Sequence, residues 1–278
     1  MQQSARAAAC KSAPGAMPRL ALLSHLSSRA ELDRCAQTAS AEVSVVEVGR
    51  QAVALVAPMN SPVWALDLDA LFRALGRNSG SAARATTWDA IDPSYPKLPI
   101  GVLLPSPESR VMRLFGALIM EQGCDKAIRR IPFDRNDRIR FCDAVRDDST
   151  VSHRRGGTRD VANWAAVAPP GQIAVVSVAE LRQLDRQVVP LLLDGALPTA
   201  DNIASGRYPA VEKVDLMIVL PNQANNAQRT AARDLAFSLL SEDSIGPAGC
   251  LAQAGLIPLP PAERLAARSR VVALLEQR

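Results

Sequence analysis

The chain has 278 residues, of which 48% are apolar and 4% aromatic, so it is long enough for two domains with buried cores. Its formal net charge is +4, and Lys and Arg alternate with Asp and Glu along the chain. Nucleic-acid binding is typically accompanied by a concentrated basic face and stacking aromatic residues, and we therefore expect no nucleic-acid partner. No stretch reaches the ~20 apolar residues of a membrane-spanning helix.

The first 18 residues are small or polar and are interrupted by Pro and Gly, which predicts a disordered N-terminus. They lack the apolar core of a signal peptide, so the chain as written is expected to stay in the cytoplasm. A short strand is predicted at Arg19–Ser24, followed by a helix that starts with the capping box Ser28–Glu31 and ends near Thr38. Two valine-rich strands are expected next, at 42–49 and 51–58.

A helix is predicted from Asp67 to Gly76, because its apolar residues recur with helical spacing. The apolar run Pro99–Leu103 predicts a strand that turns through Pro-Ser-Pro-Glu-Ser-Arg into a helix from Glu108 to about Gln122. Such a turn presents free backbone N–H groups at which proteins hold anions.

The second half continues with the same alternation of strands and helices. Helices are predicted at 136–145, 179–184, 227–241 and 262–277, and strands at 171–178, 187–195, 214–221 and 254–260. The segment 154–160, which contains Gly156, Gly157 and three arginines, is interpreted as a solvated loop. This alternation is typical of an α/β protein with covered, largely parallel sheets.

The five cysteines show neither a CxxC pair nor a zinc-ligand spacing, and we expect them to be buried apolar residues rather than a disulfide framework. The two histidines, His25 and His153, lie far apart in sequence without partners that would form a metal site or a catalytic set. No catalytic group, metal or cofactor is therefore predicted.

Several segments between Arg19 and Pro260 resemble, in the same order and at nearly the same spacing, segments of the phosphate-binding proteins of ABC transporters. The most telling are TTWDAIDPSYPKLPI and IASGRYPAV followed by LMIVLP. The resemblance implies the type 2 periplasmic-binding-protein fold: two α/β lobes with mixed, mostly parallel sheets, joined by two crossover strands. Lobe one would comprise residues 19–60 and 208–278 and lobe two residues 61–207. Lobe one would be incomplete, because the chain enters at about the family's third strand; a truncated start is therefore suspected.

The resemblance also implies an altered anion-binding site. The residues carried over are Ser24, Arg50, Glu108, Ser109, Arg110 and Val111. Only Ser109 of the family's Asp-Ser-Gly-Thr turn is kept. Arg50 stands where the family has an Asp that accepts a hydrogen bond from protonated phosphate. Arginine has donors only, which favours a fully ionised oxyanion or a carboxylate. Alternatively, Glu108 pairs with Arg50 or Arg110 and the cleft binds nothing.

By this resemblance the protein is expected to be a monomeric, periplasmic solute-binding protein and not an enzyme. It would bind phosphate or a related anion between its lobes and deliver it to an ABC permease. The alternatives left open are a degenerate, non-binding paralogue and an interaction or sensor module of the same fold.

Overall fold

The computed structural model describes residues 18–24, 29–80, 85–128 and 134–276. The predicted disorder of the N-terminus, the start of the capping box at Ser28 and His25 lie outside these ranges. The chain divides into two compact units, unit 1 with Met1–Gln51 and Glu212–Arg278 and unit 2 with Ala52–Val211. The boundaries fall inside two strands.

The strands are numbered along the chain. They are β1 (Arg19–Ser24), β2 (Ala41–Pro58), β3 (Ala65–Leu66), β4 (Gly101–Leu104), β5 (Val151–His153), β6 (Gln172–Ser177), β7 (Val188–Pro190), β8 (Leu192–Leu193), β9 (Val211–Pro221) and β10 (Ile257–Pro258).

The helices are numbered in the same way. They are α1 (Arg29–Ala39), α2 (Leu68–Leu75), α3 (Arg110–Phe115), α4 (Glu121–Ala127), α5 (Arg135–Asp143), α6 (Thr158–Val167), α7 (Val178–Gln183), α8 (Ala200–Ala204), α9 (Asn226–Leu239), α10 (Glu242–Ile245), α11 (Cys250–Gln253) and α12 (Pro261–Glu276). A π-helical turn, Gly116–Met120, joins α3 to α4, and a 3-10 turn lies at Trp88–Ala90.

Unit 1 is built on strands β1, β9 and β2, with β1 antiparallel to β9 and β10 antiparallel to β2. Alternate side chains of β9 point to opposite faces, as in any strand. One set, Val214, Leu216, Ile218 and Leu220, packs with residues of α9 and α12. Met217 and Val219 pack on the other face against Leu23, Ala39 and Ala41.

Unit 2 is built on β2, β6, β4 and β5. Strand β6 is antiparallel to β2, whereas β4 is parallel to both β5 and β6. The sheet is therefore mixed and the α/β class is confirmed, but parallel pairing is less extensive than predicted. Trp88 is fully buried in this unit, and its Nε1–H donates to the Gly171 carbonyl at 2.7 Å.

Strand β2 is one continuous element of 18 residues where the sequence predicted two. The predicted break lay at Arg50, directly after Gly49, but both are residues of the strand, and they pair with Ile257 and Pro258. A Cβ at Gly49 would lie 2.5 Å from the Leu256 side chain. The glycine therefore provides room for a packed neighbour and does not end the strand.

The expectation that the cysteines are unpaired was wrong. Cys124 and Cys142 form a disulfide with Cα atoms 5.6 Å apart, and Cys35 is also disulfide-bonded. These three are buried as expected, whereas Cys250 is free and exposed. Strand β5 and helix α6 were not predicted, and α6 begins inside the segment interpreted as a loop.

Among the helices that the structure describes, none combines the length and the apolar character needed to cross a bilayer.

Candidate functional site

Three parallel strands of unit 2 end at the same edge of its sheet. Leu104 of β4 pairs with His153 of β5, and Leu103 pairs with Ala174 of β6. The segments that follow β4 and β5 therefore begin side by side, whereas β6 continues beyond Ala174 to Ser177. Ligands of open α/β sheets bind outside the carboxyl ends of the parallel strands, which makes this edge the candidate site of unit 2.

The turn after β4 ends at Ser109, which is the N-cap of α3. Its backbone is extended, and its Oγ accepts a hydrogen bond from the Met112 N–H at 3.1 Å. A hydroxyl that accepts in this way still has its own proton to donate. The Glu108 side chain is exposed, and the backbone carbonyl oxygen of Glu108 accepts a hydrogen bond from Arg113 Nη1 at 3.2 Å.

The segment after β5 begins with a buried arginine. The Arg154 side chain is 4% exposed, and its Nη1 lies 2.7 Å from Glu180 Oε1 and 3.0 Å from the Gly156 carbonyl oxygen. The other oxygen of Glu180 accepts from the Ser177 N–H at 2.8 Å and from Ser177 Oγ at 3.0 Å. Burial alone would raise the pKa of Glu180, but hydrogen bonds from Arg154 and Ser177 outweigh it and lower the pKa. The guanidinium of Arg154 is thus neutralised inside the protein.

Two further arginines of this edge, Arg155 and Arg159, are exposed. The Asp160 carboxylate accepts from the Gly156 N–H at 2.7 Å and lies in the first turn of α6. His153 Nδ1 lies 2.8 Å from the Pro105 carbonyl oxygen, so its imidazole joins the turns after β4 and β5.

Arg50 lies in unit 1, in the part of β2 that pairs with β10. Its side chain is 13% exposed; Nε lies 2.9 Å from Glu47 Oε1 and Nη2 lies 3.2 Å from Glu263 Oε2. The second oxygen of Glu47 lies 2.7 Å from Lys213 Nζ. At these atoms the guanidinium is therefore engaged by carboxylates from β2 and α12.

An open pocket of about 320 Å³ lies beside these carboxylates in unit 1. Its lining combines apolar residues with Glu47, Glu263 and Arg270. The apolar residues are Val46, Leu259, Ala266 and Ala267.

Asp215 of β9 is a buried acid that the sequence analysis overlooked. It is 3% exposed, and its Oδ2 has no hydrogen-bond partner among the residues that the structure describes. Burial, and secondarily the Glu47 carboxylate, raise the pKa of Asp215. The signal was an acid within the otherwise apolar stretch VDLMIVLP, since charged residues are rarely fully buried unless paired.

A model of the PBP superfamily domain matches residues 3–241. The chain belongs to the PBP superfamily. A search of curated proteins found no match.

Solved structures with the same fold extend over most of this PBP-superfamily chain. A protein of Planctomyces limnophilus described as a possible phosphate binding protein has a TM-score of 0.65 and 13% identity, covering 93% of this chain and 81% of its own. PstS of Borrelia burgdorferi has a TM-score of 0.59 and 14% identity, covering 87% and 79%. An ABC-type phosphate transport receptor of Vibrio cholerae has a TM-score of 0.54 and 17% identity, covering 87% and 80%.

The six carried-over residues are distributed over both units of this PBP-superfamily protein. Ser24 ends β1, and its side chain lies outside the described part of the structure. Arg50 also belongs to unit 1, whereas the run Glu108–Val111 belongs to unit 2, with Arg110 exposed and Val111 half-buried. Within the described residues, no group of three or more His, Cys, Asp or Glu side chains is arranged to hold a metal ion.

Proposed function

We propose that this PBP-superfamily protein is a solute-binding protein of the phosphate-ABC-transporter type, which binds phosphate or a related small oxyanion or carboxylate. The observation that carries the proposal is Ser109, an N-cap hydroxyl at the carboxyl edge of β4 whose proton is available to a solute. The fold shared with phosphate-binding proteins supports the same role. The partner in the membrane would be an ABC permease, and the chain would act as a monomer without a catalytic step.

The helix that follows Ser109 adds to this argument. Helix α3, the π-helical turn and α4 follow one another without a break from Arg110 to Ala127. Peptide dipoles along such a segment give its N-terminus a partial positive charge, which favours an anion beside Ser109. Exposed Arg155 and Arg159 on the neighbouring segment add a weaker, salt-screened attraction.

A periplasmic location is part of the proposal. The disulfide between Cys124 and Cys142, and the disulfide-bonded Cys35, favour folding in an oxidising compartment. Both residues of the first bond are fully buried, as expected of a structural disulfide.

A second candidate is a non-binding paralogue or an interaction or sensor module of the same fold. The observation that favours it is the engagement of Arg50 by Glu47 and Glu263. If these carboxylates remain paired with the guanidinium, Arg50 donates no hydrogen bond to a solute. The altered turn at Glu108–Val111 would then be a relic of an anion site.

Isothermal titration of the full chain with phosphate, sulfate and citrate separates the two candidates. We expect at least one anion to bind and, at 100 times its Kd, to stabilise the protein by about 2.7 kcal/mol. Ser109→Ala should weaken that binding, because it removes the donor at the turn. Thr199→Ala is the matched control, since Thr199 is also an N-cap in unit 2 whose Oγ1 accepts a backbone N–H.

Each N-cap variant should lose about 1 kcal/mol of stability, so only their difference in affinity tests the site. If Arg50 breaks its ion pairs with Glu47 and Glu263 to bind the solute, Arg50→Ala should abolish binding. Equal affinities in the Ser109 and Thr199 variants would reject the role of Ser109. Absence of binding to all three anions would reject the transport proposal in favour of the non-binding candidate.

A further inference from the structure

The pocket of about 320 Å³ in unit 1 is formed by strand β2, the residue after β10 and helix α12. Helix α12 contributes Glu263, Ala266, Ala267 and Arg270, which recur at helical spacing and therefore lie on one face. The two charged residues lie at the ends of this stripe, with the short alanine side chains between them. All lining residues belong to unit 1, and the volume is in the range of small-molecule sites.

The apolar part of the lining favours a ligand with a hydrocarbon body. Val46 of β2 and Leu259, which follows β10, are both buried in the core of unit 1 and reach the pocket. Ala266 and Ala267 of α12 lie beside them. An aliphatic group that packs on these residues is removed from water together with the surface that it covers, and this removal favours binding.

Two charged groups of the pocket retain bonding capacity. Glu263 Oε2 lies 3.2 Å from Arg50 Nη2, whereas none of the described residues bonds Glu263 Oε1. The Arg270 guanidinium is exposed and forms no ion pair within the described part of the chain. Glu47, by contrast, has both carboxylate oxygens engaged, by Arg50 Nε at 2.9 Å and by Lys213 Nζ at 2.7 Å. The pocket therefore offers an acceptor at Glu263 and several donors at Arg270.

We propose that this pocket binds a small zwitterion with an aliphatic body, the chemistry of an aliphatic amino acid. Arg270 donates to the carboxylate of the ligand, and Glu263 Oε1 accepts from its ammonium group. Residues seven apart in a helix are about 10.5 Å apart along its axis, a span that both side chains and a small ligand bridge together. An anion alone would leave Glu263 without a donor, and a cation alone would leave Arg270 without an acceptor. The inference goes beyond the proposed anion binding and does not depend on Ser109.

Isothermal titration of the full chain with three probes of similar aliphatic shape tests the inference. L-Leucine carries both charges, isocaproate only the carboxylate and isoamylamine only the ammonium group. We expect leucine to bind and each single-charge probe to bind about tenfold more weakly or not at all, because each lacks one hydrogen bond to a charged group. Isocaproate binding as tightly as leucine would overturn the role of Glu263, and isoamylamine binding as tightly would overturn the role of Arg270.

Two variants test whether leucine binds in this pocket. Arg270→Gln removes the charged donor and should weaken leucine binding about tenfold. Ala266→Leu fills the pocket from an exposed helix position, so it should weaken leucine binding without loss of stability. The matched controls are Arg182→Gln, at an exposed arginine of α7, and Ala262→Leu, at an exposed alanine of α12 outside the lining. Both controls should bind leucine like the wild type.

The outcomes distinguish this inference from the proposed function. Equal leucine affinities in each variant and its matched control would mean that leucine binds elsewhere, and the inference would be overturned. If the wild type binds phosphate, sulfate or citrate but not leucine, the inference fails and the proposed function stands. If the wild type binds leucine, loses it in both pocket variants and binds none of the three anions, the inference stands and the proposed function fails.

Discussion

The disulfide between Cys124 and Cys142 provides a prediction whose size follows from the chain itself. The bond joins α4 to α5 across a sequence separation of 18 residues. Replacing both cysteines by alanine restores the freedom of that loop in the unfolded chain, and the entropy of closing a loop of this length corresponds to about 3 kcal/mol at room temperature. Both side chains are fully buried, so the lost sulfur contacts add to the effect.

Urea unfolding followed by circular dichroism measures this change. We expect the free energy of unfolding of the double variant to be lower by about 3 kcal/mol. Cys250→Ala is the control, because Cys250 is exposed and free, and it should unfold like the wild type. A loss below about 1 kcal/mol would refute the loop-entropy argument. Peptide mapping that recovers both cysteines in the alkylated form would refute the bond itself.

Two further predictions concern buried charges in unit 2. Burial, and secondarily Glu121, raise the pKa of Asp143 from its ordinary 3.8 to about 6. The folded state therefore binds the proton of Asp143 more tightly than the unfolded state does. The stability that this proton contributes is lost as the pH rises through this interval. Asp143→Asn should therefore flatten the decline of the urea midpoint between about pH 4 and about pH 6, and an unchanged pH profile would contradict the assignment. Arg154→Met should lower the free energy of unfolding by about 3–5 kcal/mol, because Glu180 loses its buried partner. The double variant Arg154→Met/Glu180→Gln should recover part of that loss, and an additive loss would mean that the two side chains are not coupled.

The fold was predictable where the local pattern and the tertiary environment agree. Apolar residues at helical spacing predicted α2, and the structure buries Leu68, Leu71, Phe72 and Leu75. The strand at β1 and the turn into α3 at Ser109 were confirmed for the same reason. Strand β5 was missed because it has only three residues and its second and third side chains are exposed, so no apolar run marks it.

The contacts of the candidate site were less accessible to sequence reasoning. Arg50 is bound by Glu263, which lies 213 residues away in sequence, and no spacing rule connects two such positions. The disulfide partners Cys124 and Cys142 carry no recognisable motif either. Asp215 was detectable in principle, because an acid inside an apolar strand is unusual, but its lack of a partner is visible only in three dimensions.

The ion pairs of the buried Arg154 in unit 2 and of the partly buried Arg50 in unit 1 limit the charge that each arginine could offer to an anion. Arg154 is neutralised by Glu180, and Arg50 is engaged by Glu47 and Glu263, so neither presents an uncompensated charge. The remaining cations at the edge of β4 are exposed, and solvent and salt screen their attraction. Recognition would therefore depend mainly on neutral donors such as the Ser109 hydroxyl, which salt screens little. Neutral donors of this kind distinguish solutes by the geometry and protonation of their oxygen atoms.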